Sequence, residues 1–171
     1  IWNRRMRTYS PLIIILLSVI LASCGVYSFT GATIEGKSIY IHVLENKSRN
    51  IVPSLSANLS EKIKNRILSQ TGLASINNDA ADYDLSGTIT NYEVSVSGLQ
   101  NNQTASLNRL TISVEIIFKN KKNEKANFTQ SFNRFADFSA TQTIQSVEQK
   151  LIEDIGNQLA DDIFNKAFVN W

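Results

Sequence analysis

Among 171 residues there is one cysteine, Cys24, and one histidine, His42. One thiol excludes an internal disulfide, and a single His with a single Cys gives no basis for a zinc site. His42 stands between Tyr40 and Leu44 in a run of β-formers and reads as a packed or surface histidine rather than a general base. No Ser or Cys has a base and an orienting acid at a recognisable spacing, so nucleophilic catalysis is not expected. Asp79, Asp82 and Asp84 are close enough to suggest metal ligands. Counted from Asp79, however, the sixth position is Asp84 and the twelfth is Thr90, not the Gly and Glu of a calcium loop. They read as loop solvation, and no cofactor or metal is expected.

The chemistry the sequence does offer sits at its only thiol. Leu21, Ala22 and Ser23 precede Cys24, a spacing that resembles the bacterial lipobox. Small residues let a peptidase approach the backbone, and a thiolate is the nucleophile toward a diacylglycerol donor. Upstream, Arg4, Arg5 and Arg7 form a positive segment, followed by the nearly all-apolar run from Pro11 to Ala22. Twelve helical residues span about 18 Å, against a hydrocarbon core of roughly 30 Å, so the run reads as the hydrophobic part of a signal peptide. Residues 1–23 are therefore expected to be a lipoprotein signal peptide and 24–36 a lipidated tether. The domain would occupy 37–171. Acyl chains on Cys24, at roughly 0.8 kcal/mol per buried CH₂, would anchor the protein essentially permanently. Gly25 to Ser28 brings no Asp at the second position and no acidic run, which fits an outer-membrane lipoprotein facing the periplasm.

Charge narrows the partners. Lys plus Arg total 17 and Asp plus Glu 15, but three of the cations are the early arginines, leaving 14 against 15 from Cys24 onward. A near-neutral domain lacks the basic footprint of a duplex nucleic-acid binder, so no nucleic-acid partner is expected. The one concentrated basic stretch is Lys119, Lys121, Lys122 and Lys125. It is either an exposed solvated turn or a contact for anionic groups such as lipid A phosphates. The N-x-S/T triplets at Asn46, Asn58, Asn102 and Asn127 carry little meaning in an Asn-rich chain.

The elements that position these residues follow from hydrophobic period. Ser38 to Leu44 reads as a strand, with Ile39, Ile41 and Val43 on one face. Leu55, Leu59, Ile63 and Ile67 recur every four residues, giving an amphipathic helix of roughly sixteen residues with Pro53 in its first turn and Gly72 closing it. A brief strand near Leu73 to Ile76 precedes an alternating run from Tyr83 to Val96 whose phase changes at Thr90 and Asn91, which predicts a bulge. Ser97 to Thr104 reads as a loop. Leu110, Ile112, Val114, Ile116 and Phe118 make the clearest strand. Asn120 to Lys125 connects it to a returning strand with Phe128, Phe132, Phe135 and Phe138, all four expected in the core. A long helix from Thr143 to Phe168 closes the chain, interrupted only by Gly156 at about 1 kcal/mol relative to Ala.

The order β-α-β-β-β-α predicts an α/β (α+β) two-layer sandwich: a mixed sheet of about four strands with two amphipathic helices on one face. The other face, with Thr111, Ser113, Glu115, Gln130 and Asn133, is left bare.

The mature chain resembles the LptE family of lipopolysaccharide-assembly lipoproteins in a Bacteroidota-like form. The resemblance is carried by C-G-V-Y-S-F-T-G (24–31), A-S-L-N-R-L-T-I (105–112), R-F-A-D-F (134–138) and D-D-I-F-N-K-A-F-V-N-W (161–171). It implies a non-enzymatic plug and assembly subunit of the lipopolysaccharide translocon, partnering an LptD-like outer-membrane β-barrel. It also implies contact with lipopolysaccharide, for which the lysine stretch is a positional expectation. The alternative is a periplasmic scaffold lipoprotein that regulates a cell-wall synthase or a secretion pore. The roughly dozen residues between Cys24 and the first strand, at about 3.4 Å each, are few for that role.

Overall fold

The computed structural model describes residues 34–50, 52–99 and 105–169. Cys24, the lipobox residues Leu21, Ala22 and Ser23, and residues 100–104 of the stretch read as loop in the sequence lie outside those residues. The described elements are β1 (Ser38–Ile41), β2 (Glu45–Asn46), α1 (Leu55–Thr71), β3 (Ala74–Ser75), β4 (Tyr83–Leu99), β5 (Ala105–Asn120), β6 (Phe128–Ser139) and α2 (Ile144–Phe168).

One mixed sheet results, in the order β3-β1-β4-β5-β6, with β2 pairing β4 beyond the end of β1. β1 is parallel to both β3 and β4, while β4, β5 and β6 form an antiparallel meander. The expected class is correct and the strand count is not: six strands replace about four. The additional pieces are two residues each: β3 lies within the brief strand expected near Leu73 to Ile76, and β2 is too short to leave a period-2 signature.

The first strand departs most from expectation. Its ladder stops at Ile41, Val43 turns outward at 71% exposure, and Leu44 is buried instead. The break is held by hydrogen bonds. The His42 N–H donates to the Leu85 carbonyl, and the Leu44 N–H donates to Ser60 Oγ (2.9 Å), a buried helix hydroxyl that itself donates to the Ser56 carbonyl. Glu45 and Asn46 then rejoin the sheet as β2, beyond the Leu44 at which the sequence reading ends the strand.

α1 buries Leu55, Leu59, Ile63 and Ile67, each contributing about 1.5–3 kcal/mol on removal from water. It begins after Ser54, so Pro53 lies in the preceding turn, not in the first helical turn. It ends at Gly72, whose φ of 67° places it in the left-handed region that glycine adopts without a Cβ penalty.

β4 runs through Ser97 to Leu99, residues that read as loop; they pair with β5 through two further register shifts. The bulge expected at Thr90 and Asn91 is present as a register shift between Ile89 and Asn91. On β5 the five alternating residues Leu110, Ile112, Val114, Ile116 and Phe118 are all buried. Register carries that face across to β4 Leu85 and Ile89 and to β6 Phe132, where it joins the buried side chains of both helices in one core.

β6 corrects two expectations. Phe135 pairs with Thr111 on the opposite face and is 47% exposed, whereas Phe132 and Phe138 are buried and Phe128 is half-buried. Gln130 pairs with Ile116, so it belongs to the helix-bearing face and not the bare one. Two phenylalanines an odd number of residues apart cannot share a face of a regular strand.

α2 supplies Leu151, Ile155, Leu159 and Ile163 to the core. Gly156 is buried where the two helices meet: a Cβ there would stand 3.1 Å from Leu59 Cδ2. Its propensity cost is offset by the close approach of α1. Ion pairs Lys62–Glu153 (3.0 Å) and Arg66–Asp161 (2.7 Å) bridge the helices, and Arg134 meets Asp162 through two hydrogen bonds, fixing α2 to β6.

Candidate functional site: a bare sheet face and its two ends

The face of the sheet away from the helices presents, row by row across β4, β5 and β6, Thr88–Glu115–Ser131, Asn91–Ser113–Asn133, Glu93–Thr111–Phe135 and Ser95–Arg109–Asp137. Short hydroxyls and amides dominate its centre. At one end Arg109 makes a paired contact with Asp137 (2.7 and 2.9 Å) while its guanidinium lies 3.7 Å from the centroid of the Phe135 ring. The Arg109 guanidinium holds Asp137 below the usual carboxylate range, and Asp137 raises Arg109 in turn. The sequence pattern points to the hydroxyl-rich centre but not to this trio, because Phe135 reads as core.

The first described residues lie at the other end of the sheet. There the Gly36 N–H donates to the Tyr83 hydroxyl (3.0 Å), and Asp82 accepts from the backbone N–H groups of Lys37 (2.7 Å) and Ser38 (3.3 Å) and from Ser38 Oγ. The Lys37 N–H first, then the Lys122 ammonium, hold the Asp82 carboxyl below its usual range. Phe168 packs edge-on against both Tyr83 and Phe118, closing that end with aromatic rings.

The four lysines lie at this same end, and the structure divides them. Lys121 donates its ammonium to the Asp79 carbonyl, and Lys122 pairs with Asp82 at 3.2 Å. Lys119 stands opposite Asp84 across the β4–β5 pair. Lys125 lies in a 3-10 turn (Glu124–Ala126) capped by Asn123. Half of the basic stretch thus pins the β5–β6 connection to the loop before β4.

The three aspartates are put to separate uses: Asp84 meets His42 (2.8 Å), Asp82 holds the start of β1, and Asp79 lends its carbonyl to Lys121. Counted from Asp82, the spacing Asp82, Asp84, Ser86, Gly87 and Glu93 does satisfy the calcium-loop pattern. All but Asp82 fall on the extended β4, which separates Asp84 from Glu93 along the strand. Among the described residues no group of three such side chains could hold a metal ion, and no helix is long and apolar enough to cross a membrane.

A six-stranded open sheet with two helices on one face defines a small α+β domain of the kind found in several bacterial lipoproteins. It is similar to a minor lipoprotein of Acinetobacter baumannii at 15% identity and TM-score 0.50, over 78% of this chain and 93% of that one. It is likewise similar to rare lipoprotein B of Shewanella oneidensis (15%, TM-score 0.50, 75% and 92%) and to an uncharacterized lipoprotein B of Nitrosomonas europaea (11%, TM-score 0.51, 77% and 81%). No curated protein matches the chain. The LptE family model, described as lipopolysaccharide-assembly, matches residues 36–167. The chain belongs to the LptE family, a family of lipopolysaccharide-assembly lipoproteins.

Proposed function

We propose that the chain is the plug and assembly subunit of a lipopolysaccharide translocon. It would sit within an LptD-like outer-membrane β-barrel and be anchored to the inner leaflet through acylated Cys24, facing the periplasm. The observation that carries this reading is the bare sheet face. A face of about three long strands lined by Ser, Thr and Asn matches the polar lining of a barrel lumen, whereas the apolar face is already spent on the helices. The family membership supports the role in lipopolysaccharide assembly, and the reading is non-catalytic.

Purification from outer membranes tests it. A large β-barrel should accompany the chain; recovery without one, or with a cell-wall synthase or secretion pore instead, overturns the reading. Mass spectrometry of the mature N-terminus should find a diacylated Cys24.

Within this reading the lysine stretch meets lipopolysaccharide phosphates. Lys119→Glu with Lys125→Glu should weaken lipopolysaccharide binding at low salt and leave the fold intact. Lys121→Glu with Lys122→Glu should weaken binding and loosen the domain, because these two lysines hold Asp79 and Asp82.

A further inference from the structure

β4 has two neighbours over its first half and one over its second. On the side away from β5, β1 pairs with Tyr83 to Leu85 and β2 with Thr88 and Ile89. The Lys47 N–H then reaches the Ile89 carbonyl, and the Asn50 side-chain amide reaches the Tyr92 carbonyl (3.1 Å). Beyond Tyr92 no described strand lies on that side. Tyr92 shows the direction of the open backbone groups. Its carbonyl faces the open side, and alternate residues of a strand point their N–H and C=O the same way. Register with β5 is unbroken from Tyr92 to Val96, so the N–H and C=O of Val94 and Val96 face outward with it.

The side chains along this edge match the backbone in being uncovered. Val94 is 41% exposed and Val96 58% exposed, although they continue the face on which Tyr92 is buried. From Glu93 to Leu99 the sequence E-V-S-V-S-G-L holds no Lys, Arg or Pro, the residues with which natural edges discourage pairing. The other long edge, β6, also has no described strand beyond it, but it carries the cation Arg134 and packs against α2 on one face through the Arg134–Asp162 contact. An open edge with exposed valines and no guarding cation is a pairing surface.

We propose that the β4 edge from Glu93 to Val96 takes an added strand, an extended segment of the barrel partner's polypeptide. Such a segment would have small apolar residues beside Val94 and Val96 and a basic residue facing Glu93. Glu93 is the one charge on the stretch, so charge complementarity favours a cation-bearing strand. A second copy of this chain fits less well: antiparallel self-pairing centred on Ser95 sets Val94 against Val96 but leaves Glu93 opposite Ser97 with no counter-charge. Main-chain pairing gives affinity and the alternate side chains give selection. This inference rests on the barrel reading and adds to it the place and mode of contact.

The test uses the full chain in cells that also make its barrel. Val94→Pro removes an outward N–H without touching the β5 ladder, and Val96→Lys places a guard charge on the edge. Each should lower co-purified barrel by roughly tenfold or more, the loss expected when a few backbone hydrogen bonds go. The urea midpoint of the domain should stay unchanged, and Val94→Ala should keep most of the barrel. Should both variants fail to fold, a photoreactive residue at Val96 in the otherwise unaltered chain decides: a crosslink to the barrel supports the added strand. Undiminished recovery from both variants, or a Val96 crosslink to a second copy, overturns it while the barrel reading stands. Recovery of no barrel with the unaltered chain overturns the barrel reading itself.

Discussion

Asp82 accepts two backbone N–H groups and the Ser38 hydroxyl and pairs with Lys122, so its charge fastens both the start of β1 and the β5–β6 connection. A carboxyl whose folded pKa is depressed adds stability above its unfolded value and loses it as pH falls through the folded one. Asp82→Asn should therefore lower the urea midpoint at pH 7, and the gap from the unaltered chain should close in acid, below the usual carboxylate range. A gap that does not change with pH would assign Asp82 no ionic role. Gly87 is a second single-residue constraint: a Cβ there would stand 2.5 Å from the Glu115 carbonyl and 2.8 Å from Ile116 Cδ1. Gly87→Ala should cost about 1–3 kcal/mol, read by thermal or urea unfolding. The Tyr92 hydroxyl is pushed up by burial, then by its hydrogen bond to Glu148 (2.6 Å). Tyr92→Phe should cost about 1 kcal/mol and loosen only the first turns of α2 around Glu148.

Elements show how much of this was legible in sequence and why the rest was not. Both helices and β5 were plain because each buries one periodic stripe, and the bulge at Thr90 was plain because the stripe changes phase there. β3 falls inside the brief strand read near Leu73 to Ile76, whereas β2 left no trace, since two residues in a polar run cannot show a period. Val43 misled because the break at His42 is settled by Ser60 Oγ, a partner on another element. Phe135 misled because aromatic content reads as core, while its partner Arg109 is 26 residues upstream and recognisable only once β5 and β6 are in register. Of the candidate site, the hydroxyl-rich centre was readable; the open edge was not, because it depends on where β2 stops. The Arg134–Asp162 contact between β6 and α2 is exposed, so Asp162→Ala should cost no more than about 1 kcal/mol, seen chiefly as faster amide exchange along β6.

For the molecule as a whole, the two faces of the sheet predict opposite tolerances. A bulky residue on the bare face, such as Ser131→Trp, should leave the unfolding midpoint within about 0.5 kcal/mol of the original and, on the proposed reading, reduce recovery of the barrel. The same change at Val114 on the buried face should prevent folding. Equal loss of stability at both positions would show that the bare face is not free.

On the lipoprotein reading proposed above the chain is exported N-terminus first, and for such a route the parallel trio β3-β1-β4 has a consequence. β1 leads the domain in sequence but lies between two later strands, and its last partner residue is Leu85. The strand delivered earliest is thus seated late, after half the polypeptide has crossed and the α1 crossover has closed. Until then Ser38 to Ile41 is an adhesive, unsatisfied ribbon beside a membrane, and non-local pairing of this kind is slow. Escort by a holdase during transit, more than final stability, would then set how much of the protein survives its journey.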